Sequence, residues 1–247
     1  MPGLTLTKHH GLGNDFLVLI DLDGAHPVDE ALARALCDRH RGVGADGVIR
    51  VSGGPADGSA ELTFELRNAD GSPAEMSGNG MRCLAQAALS AGIVEGPVFS
   101  VATPAGSRRV TVRPAEAPGV IWASVEMGTP HREGELISMG NPHRVIVTDD
   151  LDSVPAIDGS VNVELVRPGP GPDELTMRVF ERGVGETEAC GTGACAAAFT
   201  AHERGLVGAT VTVHQSGGDA EVTIRGDGSI VLSGPSVYVC RIVWDRA

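Results

Sequence analysis

Two short glycine loops, one in each half of the chain, constrain the fold of this sequence more than any other feature. The first reads Ser-Gly-Asn-Gly at 77–80 and the second reads Cys-Gly-Thr-Gly at 190–193. Each loop precedes a helix-like segment that is rich in small residues. The near-repeat predicts two related half-molecules that close one site from both sides. One loop offers a hydroxyl group where the other offers a thiol.

Strand-like runs alternate with Gly- and Pro-rich turns along most of the chain. Helices are predicted at Asp29–Asp38, Gly80–Ala91 and Gly193–Arg204. Each half therefore contains several strands, a glycine loop, a helix and further strands, which favours an α+β duplication over a doubly wound sheet. The predicted strands are Leu17–Asp21, Gly47–Ser52, Leu62–Leu66, Val98–Ala102, Ser107–Val112, Ile121–Glu126, Arg144–Thr148, Thr176–Phe180, Thr210–His214, Ala220–Ile224 and Val237–Val243.

Two proline-rich stretches separate these elements. Pro114–Gly119 is the best candidate for a linker between the halves, and Arg167–Asp173 is predicted to be a surface loop inside the second half. A third segment, 42–47, matches the pattern G-x-G-x-x-G. A dinucleotide fingerprint needs a strand before it and a helix after it. Here the order is reversed, so these glycines are expected to form a tight turn and not a nucleotide site.

The charge balance limits the classes of partner. The formal net charge of −13 argues against nucleic acid or an anionic membrane as the main partner. No run approaches the roughly 20 apolar residues of a membrane span. The number of cysteines, five, is odd, and their spacing shows no disulfide framework, so reduced thiols in a cytoplasm are expected.

The loop chemistry indicates anion binding combined with acid–base catalysis. The first amides of a helix have no partner inside the helix, and the helix dipole adds positive charge, so a helix start binds a carboxylate well. A cysteine there is expected to have a lowered pKa. Two such loops that face each other would bind one carboxylate and place a proton-transfer group on each face of the adjacent carbon. This constellation suits inversion of an α-amino acid.

Neither a metal nor a cofactor is expected. His9 and His10 are adjacent and lack metal-ligand spacing. Pyridoxal phosphate normally needs a lysine, and Lys8 is the only one in the chain and lies outside both loops. A mechanism without metal or cofactor is therefore predicted.

The chain resembles the diaminopimelate epimerase family across nearly its full length. The segments that carry the resemblance are Lys8–Phe16, Asp38–Asp46, Arg67–Ser72, Gly78–Gly80, Met139–His143 and Glu181–Gly193. Members of that family interconvert LL- and meso-diaminopimelate without a cofactor and use two cysteines as acid and base. The resemblance therefore implies a bacterial cytoplasmic isomerase that feeds lysine and peptidoglycan synthesis, often as a homodimer.

The resemblance also implies roles for individual residues. Cys190 matches one catalytic cysteine, and Ser77 stands where the other belongs. His143 and Glu181 could accept hydrogen bonds from the reacting ammonium group. For Asn68 taken alone, turn formation is the alternative interpretation. The positions that match substrate-contacting residues are Asn14, Asn68, Gly78, Asn79, Asn141, Asn162, Glu181, Arg182, Gly191 and Thr192.

The fold implied by the resemblance consists of two pseudo-repeated α/β domains. Each is a curved, mostly antiparallel sheet around a central helix, with the active site in the cleft between the domains. The predicted first half covers 1–113 together with 236–247, because the last strand is expected to return to it. The predicted second half covers 120–235.

Serine at position 77 leaves several interpretations open. A hydroxyl group is far less acidic than a thiol, whose ordinary pKa is about 8.5, and it is a poor base unless a neighbour activates it. The serine could be an introduced substitution, or a natural variant that relays the proton slowly. The chain could instead perform a related reaction, as do proline racemases and hydroxyproline epimerase-dehydratases. A non-catalytic amino-acid-binding protein is the alternative of a different class.

Overall fold

The computed structural model describes residues 3–154 and 159–245, and these form a protein made mostly of β-strands. Three helices accompany the strands: α1 (Glu30–Cys37), α2 (Gly78–Ser90) and α3 (Gly191–Glu203). The strands are β1 (Leu4–Gly11), β2 (Asn14–Ile20), β3 (Gly47–Gly53), β4 (Leu62–Asn68), β5 (Pro73–Ala74), β6 (Val98–Thr103), β7 (Gly106–Pro114), β8 (Val120–Gly128), β9 (His131–Glu133), β10 (Leu136–Ser138), β11 (Pro142–Val147), β12 (Asn162–Pro168), β13 (Glu174–Glu181), β14 (Gly185–Thr187), β15 (Thr210–Gln215), β16 (Gly218–Ile224) and β17 (Ile230–Trp244).

The chain divides into two compact units. Unit 1 comprises Met1–Gly11, Asp15–Ala123 and Pro235–Ala247, and unit 2 comprises Leu12–Asn14 and Ser124–Gly234. The division falls within β8 and β17, because both strands continue from one unit into the other. The part of β17 that belongs to unit 1 pairs antiparallel with β1.

Unit 1 is a mixed sheet in which antiparallel pairs predominate. Strand β2 runs parallel to β3, β3 antiparallel to β4, β4 parallel to β6, and β6 antiparallel to β7. Helix α2 packs on β1, β3 and β4 of the same unit. It is buried from Gly78 to Ala88, so its small residues, which are Ala, Gly and Cys, lie in the interior of the unit.

Unit 2 repeats this order of pairing. Strand β11 runs parallel to β12, β12 antiparallel to β13, β13 parallel to β15, and β15 antiparallel to β16. Helix α3 packs on all five of these strands. Its buried residues are nearly all Gly, Ala, Cys or Thr, and small side chains allow strands to approach a helix closely from several directions.

The two small-residue helices begin in the same way. Ser77 is the N-cap of α2 with φ −143° and ψ 118°, and Cys190 is the N-cap of α3 with φ −128° and ψ 117°. In each case the side chain accepts a hydrogen bond from the amide three residues later, which satisfies one donor of the first turn. The near-repeat in the sequence therefore corresponds to a repeated local structure.

Most predicted helices and strands begin and end within two residues of the observed ones, but β2 begins three residues and β17 seven residues earlier than predicted, and some observed strands were not predicted. The additional strands are β1, β5, β9, β10, β12 and β14. The segment 42–47 follows α1 and leads into β3, with Gly44 at a φ of +82°, so it forms a turn between a helix and a strand. Among the helices of the described residues, none has the length and apolar character needed to cross a membrane.

Candidate active site

Cys190 lies among several buried polar groups of unit 2. Its thiol is 5% exposed and accepts a hydrogen bond from the amide of Gly193 at 3.4 Å. The hydroxyl group of Thr192 is also 3.4 Å from the sulfur atom. Gly191 and Thr192 form the first turn of α3 and are buried. The thiol is therefore held at the start of a helix, where the backbone amides carry partial positive charge.

Gln215, the last residue of β15, fixes the backbone at this turn. Its side-chain oxygen accepts a hydrogen bond from the amide of Cys190 at 2.8 Å, and the residue is 9% exposed. The sequence analysis did not identify Gln215, because no local signal links it to a loop 25 residues earlier.

The carboxyl group of Glu181 interacts with the thiol of Cys190. Glu181 ends β13, and its Oε1 atom also accepts a hydrogen bond from Thr187 at 2.7 Å. Burial raises the pKa of the Glu181 carboxyl group, whereas the hydrogen bonds from Thr187 and from the Cys190 thiol lower it. A carboxyl group with a raised pKa next to a thiol is a candidate acceptor for the thiol proton.

The expected lowering of the Cys190 pKa is wrong in this structure. Burial raises the pKa of the thiol well above its ordinary value, and the nearby carboxylates of Glu181 and Glu164 act in the same direction. The Thr192 hydroxyl and the Gly193 amide oppose this shift but do not overcome it. The reason is that the helix start is surrounded by negative groups and closed to water. Cys190 therefore rests as a neutral thiol.

His143 and Glu164 form a fully buried pair beside this thiol. The Nδ1 atom of His143 is 2.6 Å from Oε1 of Glu164, and its Nε2 atom is 3.0 Å from Oδ1 of Asn141. Both side chains are 0% exposed. Because both ring nitrogens are bonded to protein atoms, the suggested hydrogen bond from the substrate ammonium to His143 is not available in this arrangement. His143 supports the site by holding Asn141.

The same pair and Cys190 form a cluster of groups that can ligate metals. A ring nitrogen of His143, a carboxylate oxygen of Glu164 and the sulfur of Cys190 lie within 4.8 Å of one another. The sequence showed no such cluster, because its members come from β11, β12 and the turn before α3. The Nδ1 atom of His143 and the Oε1 atom of Glu164 are hydrogen-bonded to each other. The expectation of a metal-free site stays a prediction.

Three further predicted residues belong to unit 2. Asn162 begins β12, directly opposite His143 in the parallel register with β11. Its side-chain oxygen accepts a hydrogen bond from the backbone amide of Arg182 at 2.8 Å, while the side chain of Arg182 is exposed. Asn14 also belongs to this unit. The preceding residue, Gly13, lies against Glu188, which is two residues before Cys190. The structure thus brings Asn14, Asn141, Asn162, Glu181 and Arg182 into the unit that carries Cys190.

The Ser77 loop in unit 1 has a simpler environment. The hydroxyl group of Ser77 accepts a hydrogen bond from the amide of Gly80 at 3.0 Å and is partly exposed. Among the described residues of unit 1, the partner of the Ser77 hydroxyl is this backbone amide and not a base. A hydroxyl group in that position caps the helix but is not activated for proton removal by its own unit.

Asn79 and Gly78 open α2 and are buried. The side-chain oxygen of Asn79 accepts a hydrogen bond of 2.7 Å from the guanidinium group of Arg82, which is 0% exposed. Gly11 makes room for this arginine, because a Cβ atom at position 11 would lie 3.0 Å from its Nη2 atom. A buried positive charge therefore lies beside the second predicted anion-binding loop, where it favours a bound carboxylate.

The contacts of Asn68 match the alternative interpretation, which was turn formation. It ends β4 and is exposed, and its side chain donates a hydrogen bond to Ser72 at 3.1 Å. Its backbone amide and carbonyl bond to Ser72 and Gly71, which closes a turn. In this structure Asn68 makes turn contacts, and its role towards substrate stays a prediction.

Lys8 is held by a cluster of charges in unit 1. Its Nζ atom is 2.7 Å from Asp15 and donates a hydrogen bond to the carbonyl of Gly44 at 2.7 Å. Arg39 bonds to both oxygens of Asp15 and to Asp46. The burial of Asp15 alone would raise its pKa, but Arg39 and Lys8 outweigh burial and lower it. This cluster fastens the 42–47 turn to the start of β2.

Comparisons with known proteins identify the family of this chain. The sequence model of the family described as diaminopimelate epimerase matches residues 6–133 and 135–239. A protein of Xanthomonas euvesicatoria named diaminopimelate epimerase is 38% identical, with 98% of this chain and 97% of that protein covered. A protein of Streptomyces lavendulae named O-ureido-serine racemase is 37% identical over 96% of this chain and 93% of its own length.

The fold is also found among solved structures. A probable proline racemase from Agrobacterium radiobacter superposes with a TM-score of 0.70 at 16% identity, covering 99% of this chain and 93% of that one. At this identity the likeness shows a shared fold and nothing further. The match of the family model along most of the chain, together with relatives at this level of identity, shows membership directly. The chain belongs to the diaminopimelate epimerase family.

Proposed function

We propose that this protein is an isomerase that inverts an amino-acid α-carbon, with LL- and meso-2,6-diaminopimelate as its substrate pair. The observation that carries the proposal is the contact between the Cys190 thiol and the Glu181 carboxyl group at the start of α3. A thiol at an anion-attracting helix start, with a carboxyl group beside it to accept its proton, combines the two functions that α-proton transfer requires.

The proposed reaction at Cys190 moves one proton at a time. In the base direction, the thiol passes its proton to the Glu181 carboxylate, and the resulting thiolate removes the α-proton of the substrate. In the acid direction, the thiol gives its proton to the α-carbanion and recovers one from Glu181. The amides of the first turn of α3 would hold the substrate carboxylate, which takes up the negative charge of the carbanion.

Ser77 occupies the second catalytic position in this proposal. Because its hydroxyl group is much less acidic than a thiol and is bonded to the amide of Gly80, proton transfer on that side is expected to be slow. The two halves, each with a capped helix packed on its own strands, would supply one proton-transfer group apiece. Gly78 and Asn79 would add the second set of carboxylate donors.

The remaining predicted residues would recognise the distal end of the substrate. Diaminopimelate carries a second ammonium and a second carboxylate, and the exposed guanidinium group of Arg182 suits a two-point contact with that carboxylate. Asn141 and Asn162 are fixed by His143 and by the Arg182 amide. The proposal extends to lysine and peptidoglycan precursor synthesis in the cytoplasm, without a cofactor and with a homodimer as the expected assembly.

One relative favours a second candidate function. The O-ureido-serine racemase is as similar to this chain as the diaminopimelate epimerases are. The ureido group named in its substrate is neutral, so a racemase of that type has no distal carboxylate to bind. The discriminating residue is therefore Arg182, whose charge matters for diaminopimelate and not for a neutral side chain.

The test is a direct comparison of substrates. Purified protein is incubated with LL-diaminopimelate, with meso-diaminopimelate and with L-O-ureido-serine, and the stereoisomers are separated by chiral chromatography. We expect turnover of diaminopimelate that Cys190→Ala abolishes and that Arg182→Ala lowers by about 10- to 100-fold in kcat/KM. Racemisation of O-ureido-serine alone would transfer the proposal to the second candidate.

A further inference from the structure

Glu164 is a buried acidic residue that neither the sequence pattern nor the resemblance assigns. It lies in β12 between Val163 and Leu165, and its side chain is 0% exposed. A carboxyl group in the interior is costly unless it has a specific partner. Its Oε1 atom is bonded to Nδ1 of His143, whereas its Oε2 atom has no hydrogen-bond partner among the described residues.

The hydrogen-bond chain from Glu164 fixes the state of the His143 ring. The oxygen of the Asn141 side chain can only accept a hydrogen bond, so Nε2 of His143 must carry a proton to donate. The other contact, between Nδ1 and Oε1 of Glu164 at 2.6 Å, anchors the opposite side of the ring. Glu164 therefore determines both the orientation of the ring and the atom through which His143 holds Asn141.

Glu164 also lies directly beneath the turn that carries Cys190. Gly193 has no side chain, and a Cβ atom there would lie 2.6 Å from Oε1 of Glu164. A larger residue at position 193 would push the carboxyl group away from the helix start. The same oxygen thus contacts His143 and occupies the space that Gly193 leaves free. The Glu164 carboxylate also lies near the thiol of Cys190 and raises the pKa of that thiol.

We propose that Glu164 is a positioning residue of this site, which orients Asn141 through the His143 ring and lies directly beneath the turn that carries Cys190. This inference rests on the proposed function for its effect on turnover. Its effects on the thiol and on the ring do not depend on any substrate.

The experiment compares Glu164→Gln with a matched control. Glutamine keeps the volume and one hydrogen bond to His143 but removes the ionisable carboxyl group. The control is Glu174→Gln, since Glu174 also bonds to a histidine, His214, at 3.2 Å in the same unit. Alkylation of Cys190 by iodoacetamide is followed between pH 7 and pH 10 by peptide mass spectrometry, which separates it from the other cysteines. We expect Glu164→Gln to move the midpoint of alkylation to lower pH and Glu174→Gln to leave it unchanged.

Kinetics and ring spectroscopy complete the test. We expect Glu164→Gln to raise KM for diaminopimelate and to reduce kcat/KM by about 10- to 100-fold, with partial recovery in Glu164→Asp. In ¹⁵N-histidine spectra of the unmodified protein, Nε2 of His143 should carry a proton. The signals of His143 are those that disappear in the spectrum of His143→Gln.

The outcomes separate the two proposals. A protein without epimerase activity whose alkylation midpoint still moves in Glu164→Gln would contradict the proposed function and support the role of Glu164. A Glu164→Gln protein that matches Glu174→Gln in alkylation would overturn that role. If Glu164→Gln does not fold, an unprotonated Nε2 of His143 in the unmodified protein would overturn it as well.

Discussion

Burial raises the pKa of both Cys190 and Glu181 in unit 2, and the Glu181 carboxylate beside the thiol raises the pKa of Cys190 further. The two residues come from the turn before α3 and from the end of β13. The raised thiol pKa keeps the proton on Cys190, and the raised carboxyl pKa makes Glu181 a better proton acceptor than an ordinary carboxylate. Cys190 is therefore a resting acid that becomes a base when Glu181 takes its proton.

Removal of the Glu181 carboxyl group should change the pH profile of the reaction. Because the pKa of Glu181 is raised, the carboxylate that accepts the thiol proton appears only as the pH increases through that value. The kcat/KM for α-proton removal should rise along this limb in the unmodified protein. Glu181→Gln should lower kcat/KM by about 10²- to 10⁴-fold and flatten the limb.

The control for that prediction is Glu186→Gln, which alters an exposed carboxylate paired with Arg178 in the same unit. Its pH profile should match that of the unmodified protein. An acid limb that persists unchanged in Glu181→Gln would show that another group accepts the thiol proton.

Replacement of Ser77 by cysteine should increase the rate of epimerisation. The thiol is more acidic than the hydroxyl group by several pKa units, and it would occupy the same N-cap position at the start of α2. Ser77→Cys should therefore raise kcat by at least about 10²-fold in the chiral assay. Ser90→Cys introduces a thiol at the exposed other end of α2 and should have no effect. Equal rates in Ser77→Cys and the unmodified protein would mean that residue 77 does not face the α-carbon.

The Asp15 cluster should make folding sensitive to acid. Since Lys8 and Arg39 lower the pKa of Asp15 in the folded state despite its burial, its contribution to stability is present above the unfolded pKa of about 3.9. The contribution disappears as the pH falls through the folded-state value. Asp15→Asn should lower the free energy of unfolding at pH 7 by about 1–3 kcal/mol.

Urea denaturation at pH 7 and at pH 3 measures this effect. The difference between Asp15→Asn and the unmodified protein should be large at pH 7 and smaller at pH 3. Asp23→Asn, at an exposed position, serves as the control and should leave both curves in place. An Asp15→Asn difference that does not shrink in acid would assign the loss to packing instead of to charge.

Local sequence predicted the elements that carry the site but not the site's electrostatics. The helix starts at 77–80 and 190–193 follow from small residues and capping side chains, which are short-range signals. Strand β12 was missed because its sequence, Asn-Val-Glu-Leu-Val-Arg-Pro, places a charged residue in a buried position and so breaks the expected alternation. Glu164 therefore escaped notice.

The contacts of Cys190 depend on pairing between distant strands. The parallel register of β11 and β12 brings His143 opposite Asn162 and allows Glu164 to reach the same ring. Such a register cannot be derived from either strand alone. The burial of the thiol among carboxylates, which reverses the expected direction of its pKa, is a consequence of this tertiary arrangement.

Exchange of the substrate α-proton in deuterated water tests the central claim most directly. Each stereoisomer of diaminopimelate is incubated separately with the unmodified protein and with Cys190→Ala, and deuterium at the α-carbon is measured by mass spectrometry. We predict rapid incorporation from the isomer whose α-proton faces Cys190, slower incorporation from the other, and loss of the rapid exchange in Cys190→Ala. Tight binding of both isomers without exchange from either would contradict the account and identify a binding protein.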